Sequence, residues 1–88
     1  RIRDKLSVES KLHDKLITEV GNIIGMEYPI NQLDGIKVNI NDNTWSLIRK
    51  SNTEDIIRIS TESNDRQILE HILIEMIETV RNCHERIK

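Results

Sequence analysis

Residues 49 to 58 carry the side chains best suited to chemistry, because hydroxyl, amide and guanidinium groups follow one another closely there. The candidate anion-binding residues are Arg49, Ser51, Asn52, Thr53 and Arg58. Hydroxyl and amide groups donate hydrogen bonds, and a guanidinium group can bind two phosphate oxygens at once. This combination predicts a binding site for a phosphate monoester.

Alternating apolar residues on both sides of this segment predict two strands that meet there in a hairpin. Trp45 and Leu47 precede the segment, and Ile57 and Ile59 follow it. If the hairpin is symmetric about the segment, the two arginines are cross-strand neighbours. Two like charges at such positions are destabilising unless they share an anion.

A polar loop that only closes a hairpin is the alternative interpretation, since Ser, Asn, Thr and Asp are common turn residues. Glu54 is expected to orient the loop or to neutralise one arginine. A role in acid and base catalysis is not expected, because such catalysis usually needs a second proton acceptor and none accompanies Glu54. No His or Lys is placed to activate Ser51 or Thr53 as a nucleophile. We therefore predict no catalytic residue in this chain.

The histidines and the cysteine predict neither a metal site nor a disulfide. His13, His71 and His84 lie on predicted helices without a metal-binding spacing, and we expect them to be solvated or half-buried. Cys83 is the one cysteine, so no internal disulfide is possible. A reducing compartment, the cytoplasm, is the expected location.

Length and charge narrow the classes of function. The 88 residues suffice for a single domain, residues 1 to 88, and the formal net charge of -2 does not predict binding to nucleic acid or to an anionic membrane. Tyr28 and Trp45 are the only aromatic residues, too few for a base-stacking surface. No apolar run is long enough to span a membrane. Because the chain begins at Arg1 rather than Met, we expect it to be a fragment.

Two amphipathic helices are predicted from apolar residues at helical spacing. The first extends from about Ser7 or Ser10 to Ile24, with a serine as its N-cap. The second follows Asn64, its expected N-cap. Its apolar stripe consists of Leu69, Ile72, Leu73, Met76, Ile77 and Val80.

The remaining segments predict a small sheet. Residues 36 to 40 alternate between apolar and polar side chains and are followed by a turn at residues 41 to 43, whereas residues 26 to 33 are expected to form a loop. Residues 1 to 6 are compatible with an edge strand. The predicted fold class is therefore α+β, a small antiparallel sheet of about four strands with two helices packed on one face.

The segment at residues 49 to 58 resembles the C-terminal, fourth domain of the α-D-phosphohexomutases, the family of phosphomannomutases, phosphoglucomutases and phosphoglucosamine mutases. The matching positions are Arg49, Ser51, Asn52, Thr53, Glu54 and Arg58. The similarity extends over residues 34 to 64. Lys50 and Asp55 occupy positions where the family often has proline.

This resemblance implies that the chain is the C-terminal phosphate-binding domain of a larger enzyme that interconverts hexose 1-phosphate and hexose 6-phosphate. The domain would hold the phosphate that is not being transferred. The family's reactive serine loop, magnesium loop and sugar-reading loop are absent from this sequence. The chain alone is therefore expected to be inactive and to hold no cofactor, with Mg²⁺ bound elsewhere in the intact enzyme.

The expected partners are a phosphorylated hexose and the other domains of the same enzyme, not nucleic acid or a membrane. A free-standing regulatory module that binds phosphate or a phosphorylated metabolite is the first alternative. A structural or nucleic-acid-binding α+β domain is the second, and the acidic balance and scarce aromatic residues disfavour it. Mannose, glucose and glucosamine substrates are not distinguished by these residues.

Overall fold

The computed structural model describes all 88 residues as a five-stranded antiparallel sheet with two helices packed on one face. The strands are β1 (Ile2–Ser7), β2 (Ile30–Asn31), β3 (Ile36–Asn41), β4 (Thr44–Lys50) and β5 (Ile56–Glu62), and the helices are α1 (His13–Ile24) and α2 (Arg66–Ile87). The strand order is β1-β5-β4-β3-β2. The predicted α+β class is confirmed, and β1 is the edge strand that residues 1 to 6 suggested. The additional strand is the two-residue β2, inside the segment expected to be a loop.

The core lies between the sheet and the helices. Successive side chains of a strand point to opposite faces, so every second residue of β3, β4 and β5 reaches this layer. The central buried residues are Leu16 and Val20 of α1, Ile36 and Val38 of β3, Ile48 of β4, Ile57 and Ile59 of β5, and Ile72, Met76 and Val80 of α2. The opposite face of the sheet, which we call the open face, carries no helix.

In β4 the apolar residues that predicted the strand do not all face the core. Ser46 and Ile48 are buried against the helices, whereas Trp45 and Leu47 are half-buried on the open face. The predicted strand is confirmed, and its buried side is the one that carries the hydroxyl residues. Ser46 can be buried because its hydroxyl forms a hydrogen bond of 2.8 Å with the hydroxyl of Thr61, which satisfies both groups.

The helix caps also differ from the prediction. Asp65, not Asn64, caps α2, since its carboxylate accepts hydrogen bonds from the backbone N–H groups of Gln67 at 2.9 Å and Ile68 at 3.1 Å. No side chain caps α1, which follows a 3₁₀ turn at Ser10–Leu12. The hydroxyl of Ser10 donates instead to a carboxylate in the turn between β4 and β5.

His13 was expected to be solvated or half-buried, and this prediction was wrong. Its side chain is only 3% exposed, and its Nε2 atom lies 2.8 Å from the carbonyl oxygen of Val8. Because the carbonyl can only accept, the imidazole N–H donates this bond. His13 thereby ties the start of α1 to the segment after β1. Neither helix is long and apolar enough to cross a membrane.

Candidate functional site

The β4–β5 hairpin brings the two arginines of the candidate segment together. Arg49 lies directly opposite Arg58 in the antiparallel register, as the symmetric hairpin predicted. The backbone N–H of Ser51 donates to the carbonyl oxygen of Ile56 at 3.1 Å and closes the strand ends. Two guanidinium groups therefore project from adjacent strands beside the turn.

Ser51 organises the turn between these strands. Its hydroxyl oxygen accepts hydrogen bonds from the backbone N–H groups of Thr53 at 3.3 Å and Glu54 at 3.1 Å. Asn52 and Thr53 are exposed, and their side chains form no hydrogen bond within the chain. The donors of these two side chains are therefore available to a ligand.

A cleft of about 330 Å³ lies between α1 and the adjacent ends of β3 and β4. Its lining residues are Asp14, Ile17, Thr18, Asp34, Gly35, Arg49, Lys50 and Asn52. The cleft thus brings together Arg49 and Asn52 of the predicted set and adds Lys50. Ser51, Thr53 and Arg58 do not line it.

Both cations of this cleft already have carboxylate partners. The Nη1 atom of Arg49 lies 3.5 Å from Oδ2 of Asp34, and Nζ of Lys50 lies 2.8 Å from Oδ1 of Asp14. The hydrogen bond from Lys50 lowers the pKa of the Asp14 carboxyl, and the charge of Lys50 acts in the same direction. Ion pairs as exposed as these are weak, so a phosphate can exchange with the carboxylates.

Arg58 has a different environment. Its Nη2 atom lies 3.2 Å from Oε1 of Glu54, so Glu54 neutralises one arginine, as one of the two sequence expectations stated. Asp55 forms no ion pair with either arginine and accepts a hydrogen bond of 3.1 Å from the backbone N–H of Ser10. The hydrogen bond from the Ser10 hydroxyl is the main cause that lowers the pKa of Asp55. The carboxylate of Asp55 therefore anchors the turn to the start of α1.

Gly35 is a residue of the cleft that the chemical reading of the sequence did not single out. Its φ of 78° lies in the left-handed region. A Cβ atom at this position would clash with the carbonyl oxygen of Ile48 and would lie 2.8 Å from Cβ of Arg49. Glycine therefore allows the start of β3 to pass close beside Arg49. The Asp-Gly pair before an alternating strand is the sequence signal for such a turn.

No three His, Cys, Asp or Glu side chains come together in a way that could hold a metal ion. Cys83 is buried in α2, and this burial is the main cause that raises the pKa of its thiol. Since the thiolate is the reactive form, Cys83 is suited to packing rather than to nucleophilic chemistry.

Comparison with known proteins identifies relatives along most of the chain. The family model described as phosphoglucomutase/phosphomannomutase, C-terminal domain, matches residues 5–79. A phosphoglucosamine mutase of Methanococcus vannielii is 31% identical over 84 residues, which is 92% of this chain and 18% of that protein.

Two further relatives carry the name "Probable phosphoglucosamine mutase". The protein of Pyrococcus horikoshii is 29% identical over 75 residues, 82% of this chain and 16% of that protein. The protein of Methanobrevibacter smithii is 53% identical over 36 residues, 41% of this chain and 8% of that protein. The chain therefore spans less than a fifth of the length of these relatives.

Proposed function

Because this chain belongs to the phosphoglucomutase/phosphomannomutase family as a C-terminal domain, we propose that it is the phosphate-binding domain of a sugar phosphomutase. The intact enzyme would interconvert hexose 1-phosphate and hexose 6-phosphate. The names of the relatives favour a glucosamine phosphate as the substrate. This domain would hold the phosphate that is not being transferred.

The cleft beside α1 is the observation that carries the proposal. It combines a guanidinium group from Arg49, an ammonium group from Lys50 and an amide from Asn52 within one concave surface. Arginine can bind two phosphate oxygens side by side, while lysine adds a compact charge. Thr53, in the same turn, has a hydroxyl free to donate to a bound phosphate.

Phosphate would bind by exchange with the carboxylates of the cleft. Asp34 and Asp14 are single negative charges on side chains that are 85% and 88% exposed. A phosphate monoester carries close to two negative charges at neutral pH and three strong acceptor oxygens. It would therefore displace these carboxylates from the two cations, and the carboxylates would be hydrated at little cost.

In the reaction this domain would position the sugar and would not touch the bond being made. Holding the distal phosphate orients the reacting end and turns remote binding energy into rate. None of its residues is assigned a catalytic role, and the Mg²⁺ that the family resemblance implies would bind to another part of the enzyme. A cytoplasmic location is proposed from the single, unpaired cysteine.

Replacement of Arg49 in the full-length protein tests this function. We expect Arg49→Ala to lower kcat/KM by about 10- to 100-fold, the effect of losing charge-assisted hydrogen bonds of about 1.5–3 kcal/mol. Arg49→Lys should recover only part of this loss, because an ammonium group cannot bind two oxygens in a fixed plane. Both kcat and KM should change, since the lost contact also orients the sugar.

Arg81→Ala is the matched control, because Arg81 is exposed on α2 and forms no ion pair. Steady-state kinetics of the three variants give the comparison. An Arg49→Ala enzyme with the same kcat/KM as Arg81→Ala would rule out this cleft as the phosphate site.

A further inference from the structure

The cleft beside α1 carries charges of both signs. Its cations are Arg49 and Lys50, and its carboxylates are Asp14 of α1 and Asp34 of the segment before β3. A site for phosphate alone would need only the cations, since a carboxylate repels a phosphate dianion. The formal charges of the cleft cancel, and such a cleft suits a ligand that itself carries both a negative and a positive group.

Asp34 is the carboxylate that a bound phosphate releases more readily. Its Oδ2 atom lies 3.5 Å from Nη1 of Arg49, whereas Oδ1 of Asp14 lies only 2.8 Å from Nζ of Lys50. The side chain of Asp34 is 85% exposed, and Arg49 is its one ion-pair partner. After phosphate has taken its place on Arg49, the Asp34 carboxylate is charged and unpaired beside the bound anion. A cation on the same ligand would give it a new partner.

The backbone keeps Asp34 beside Arg49 after this exchange. Asp34 directly precedes Gly35, whose positive φ of 78° and close approach to Arg49 bring the start of β3 against the end of β4. The carboxylate can therefore turn away from Arg49 while the main chain stays in place. It remains at the wall of the cleft, near any ligand that Arg49 holds.

We propose that Asp34 binds the ammonium group of an amino sugar phosphate and so distinguishes an amino sugar from a neutral sugar. This inference rests on the proposed function, in which Arg49 holds the phosphate of the substrate. In a hexosamine 1-phosphate the amino group is on the carbon next to the one that bears the phosphate, so the two charges of the ligand lie close together, as those of Arg49 and Asp34 do. In a hexosamine 6-phosphate the amino group lies across the sugar ring from the phosphate, and Asp34 contributes less.

NMR titrations of the 88-residue chain with glucosamine 1-phosphate and glucose 1-phosphate test the proposal. The two ligands differ only in the amino group, which replaces a hydroxyl. At about pH 7 and constant ionic strength, we expect the amides of Asn52 and Thr53 to give a dissociation constant about 3- to 5-fold lower for glucosamine 1-phosphate, the effect of one exposed ion pair. For the corresponding 6-phosphates the difference should be about 2-fold or less, because the ammonium group is farther from Asp34.

Asp34→Asn keeps the size of the side chain and removes its charge. We expect this variant to bind the two 1-phosphates about equally, because glucose 1-phosphate loses a competitor while glucosamine 1-phosphate loses a partner. Asp42→Asn is the matched control. Asp42 is exposed in the turn between β3 and β4, at the other end of the hairpin, so this variant should keep the preference of the parent chain.

Equal dissociation constants of the parent chain for the two 1-phosphates would overturn this role of Asp34. A preference that survives Asp34→Asn, that Asp42→Asn reduces as strongly, or that is as large for the 6-phosphates would also overturn it. In each of these cases, saturable shifts of Asn52 and Thr53 with glucose 1-phosphate would still support the cleft as the phosphate site. The absence of a saturable response to either 1-phosphate would refute the proposed function of the cleft, and this inference with it.

Discussion

Arg49 and Arg58 lie opposite each other on adjacent strands but have different surroundings. Arg49 borders both the cleft beside α1 and a second cavity, of about 330 Å³, on the open face of the sheet, whereas Arg58 borders only the second cavity. The partner of Arg49 is Asp34, from the segment before β3, and the partner of Arg58 is Glu54, from the same turn. From the sequence, the two arginines were predicted only as cross-strand neighbours. The structure assigns the cleft to Arg49.

Asp34 should act as a competitor of phosphate for Arg49. We expect Asp34→Asn to strengthen phosphate binding by about 2- to 5-fold, since an exposed ion pair contributes at most about 1 kcal/mol. The change also removes one negative charge from the wall of the cleft. The dissociation constant for phosphate, from the shifts of the amides of Asn52 and Thr53, measures the effect.

Asp42→Asn is the matched control for this prediction. Asp42 is exposed in the turn between β3 and β4, at the other end of the hairpin, and forms no ion pair. It removes the same charge without freeing Arg49. If both variants tightened binding equally, the effect would come from net charge, and the role of Asp34 as a competitor would be refuted.

At the level of elements, the sequence predicted α2 well. Leu69, Ile72, Met76 and Val80 are buried as the helical spacing indicated, and Cys83 extends the same buried stripe by one turn. Helical period alone determines which side of such a helix is apolar. No comparable signal exists for β4, because its buried face carries hydroxyl side chains that are satisfied across the sheet.

The ends of the elements were harder to predict for a different reason. Asn64 and Asp65 are adjacent residues with equal capping preference, so composition cannot separate them. Ser10 looked like a helix cap, but its hydroxyl donates to Asp55, which is 45 positions away in the sequence. A capping serine accepts a hydrogen bond from a backbone N–H of the helix. A local sequence pattern cannot reveal that the hydroxyl of Ser10 instead donates to a distant carboxylate.

Gly35 should be essential where the start of β3 passes the end of β4. We expect Gly35→Ala to lower the free energy of unfolding by about 2 kcal/mol or more, because alanine is strained at a positive φ and the added Cβ meets backbone that cannot move aside. Phosphate binding in the cleft should weaken as well, since the new methyl group presses against Arg49. Urea unfolding and phosphate titration measure the two effects.

Gly21→Ala is the contrasting variant. Gly21 lies within α1, and an added Cβ would meet mainly the side chain of Gln32, which is exposed and free to turn away. Alanine favours the helix by about 1 kcal/mol over glycine. We expect this variant to be as stable as the parent or slightly more so. A Gly35→Ala protein as stable as Gly21→Ala would contradict the role given to Gly35.

At the scale of the whole molecule, the candidate site depends on contacts that join distant parts of the chain. The turn after β4 was predictable because its residues are contiguous, but the cleft was not. Its second wall comes from α1, where Asp14 meets Lys50 from 36 positions away. The cleft also depends on Gly35, which allows the start of β3 to lie close beside Arg49. The sequence therefore predicted which residues could bind phosphate and left open which of them share a cavity.

The chain is as compact as a small domain of its length. Its radius of gyration is 12.1 Å, and a compact domain of this length is expected to have one of about 12 Å. One cluster of 13 buried residues joins both helices to the sheet. No buried side-chain nitrogen or oxygen lacks a hydrogen-bond partner. We therefore expect the 88-residue chain to fold on its own.

This folded chain should nevertheless bind phosphate weakly and show no mutase activity by itself. The cleft is open to water and offers only a few charge-assisted hydrogen bonds, which the cost of association largely offsets. We expect a dissociation constant on the order of 1 mM, equivalent to about -4 kcal/mol. In an NMR titration with phosphate, the amides of Ser51 to Glu54 should show the largest shifts. The full-length protein, assayed with hexose 1-phosphate under the same conditions, should be active while the chain is not. Mutase activity of the chain alone, or shifts confined to α2, would contradict a domain whose role is to hold the distal phosphate.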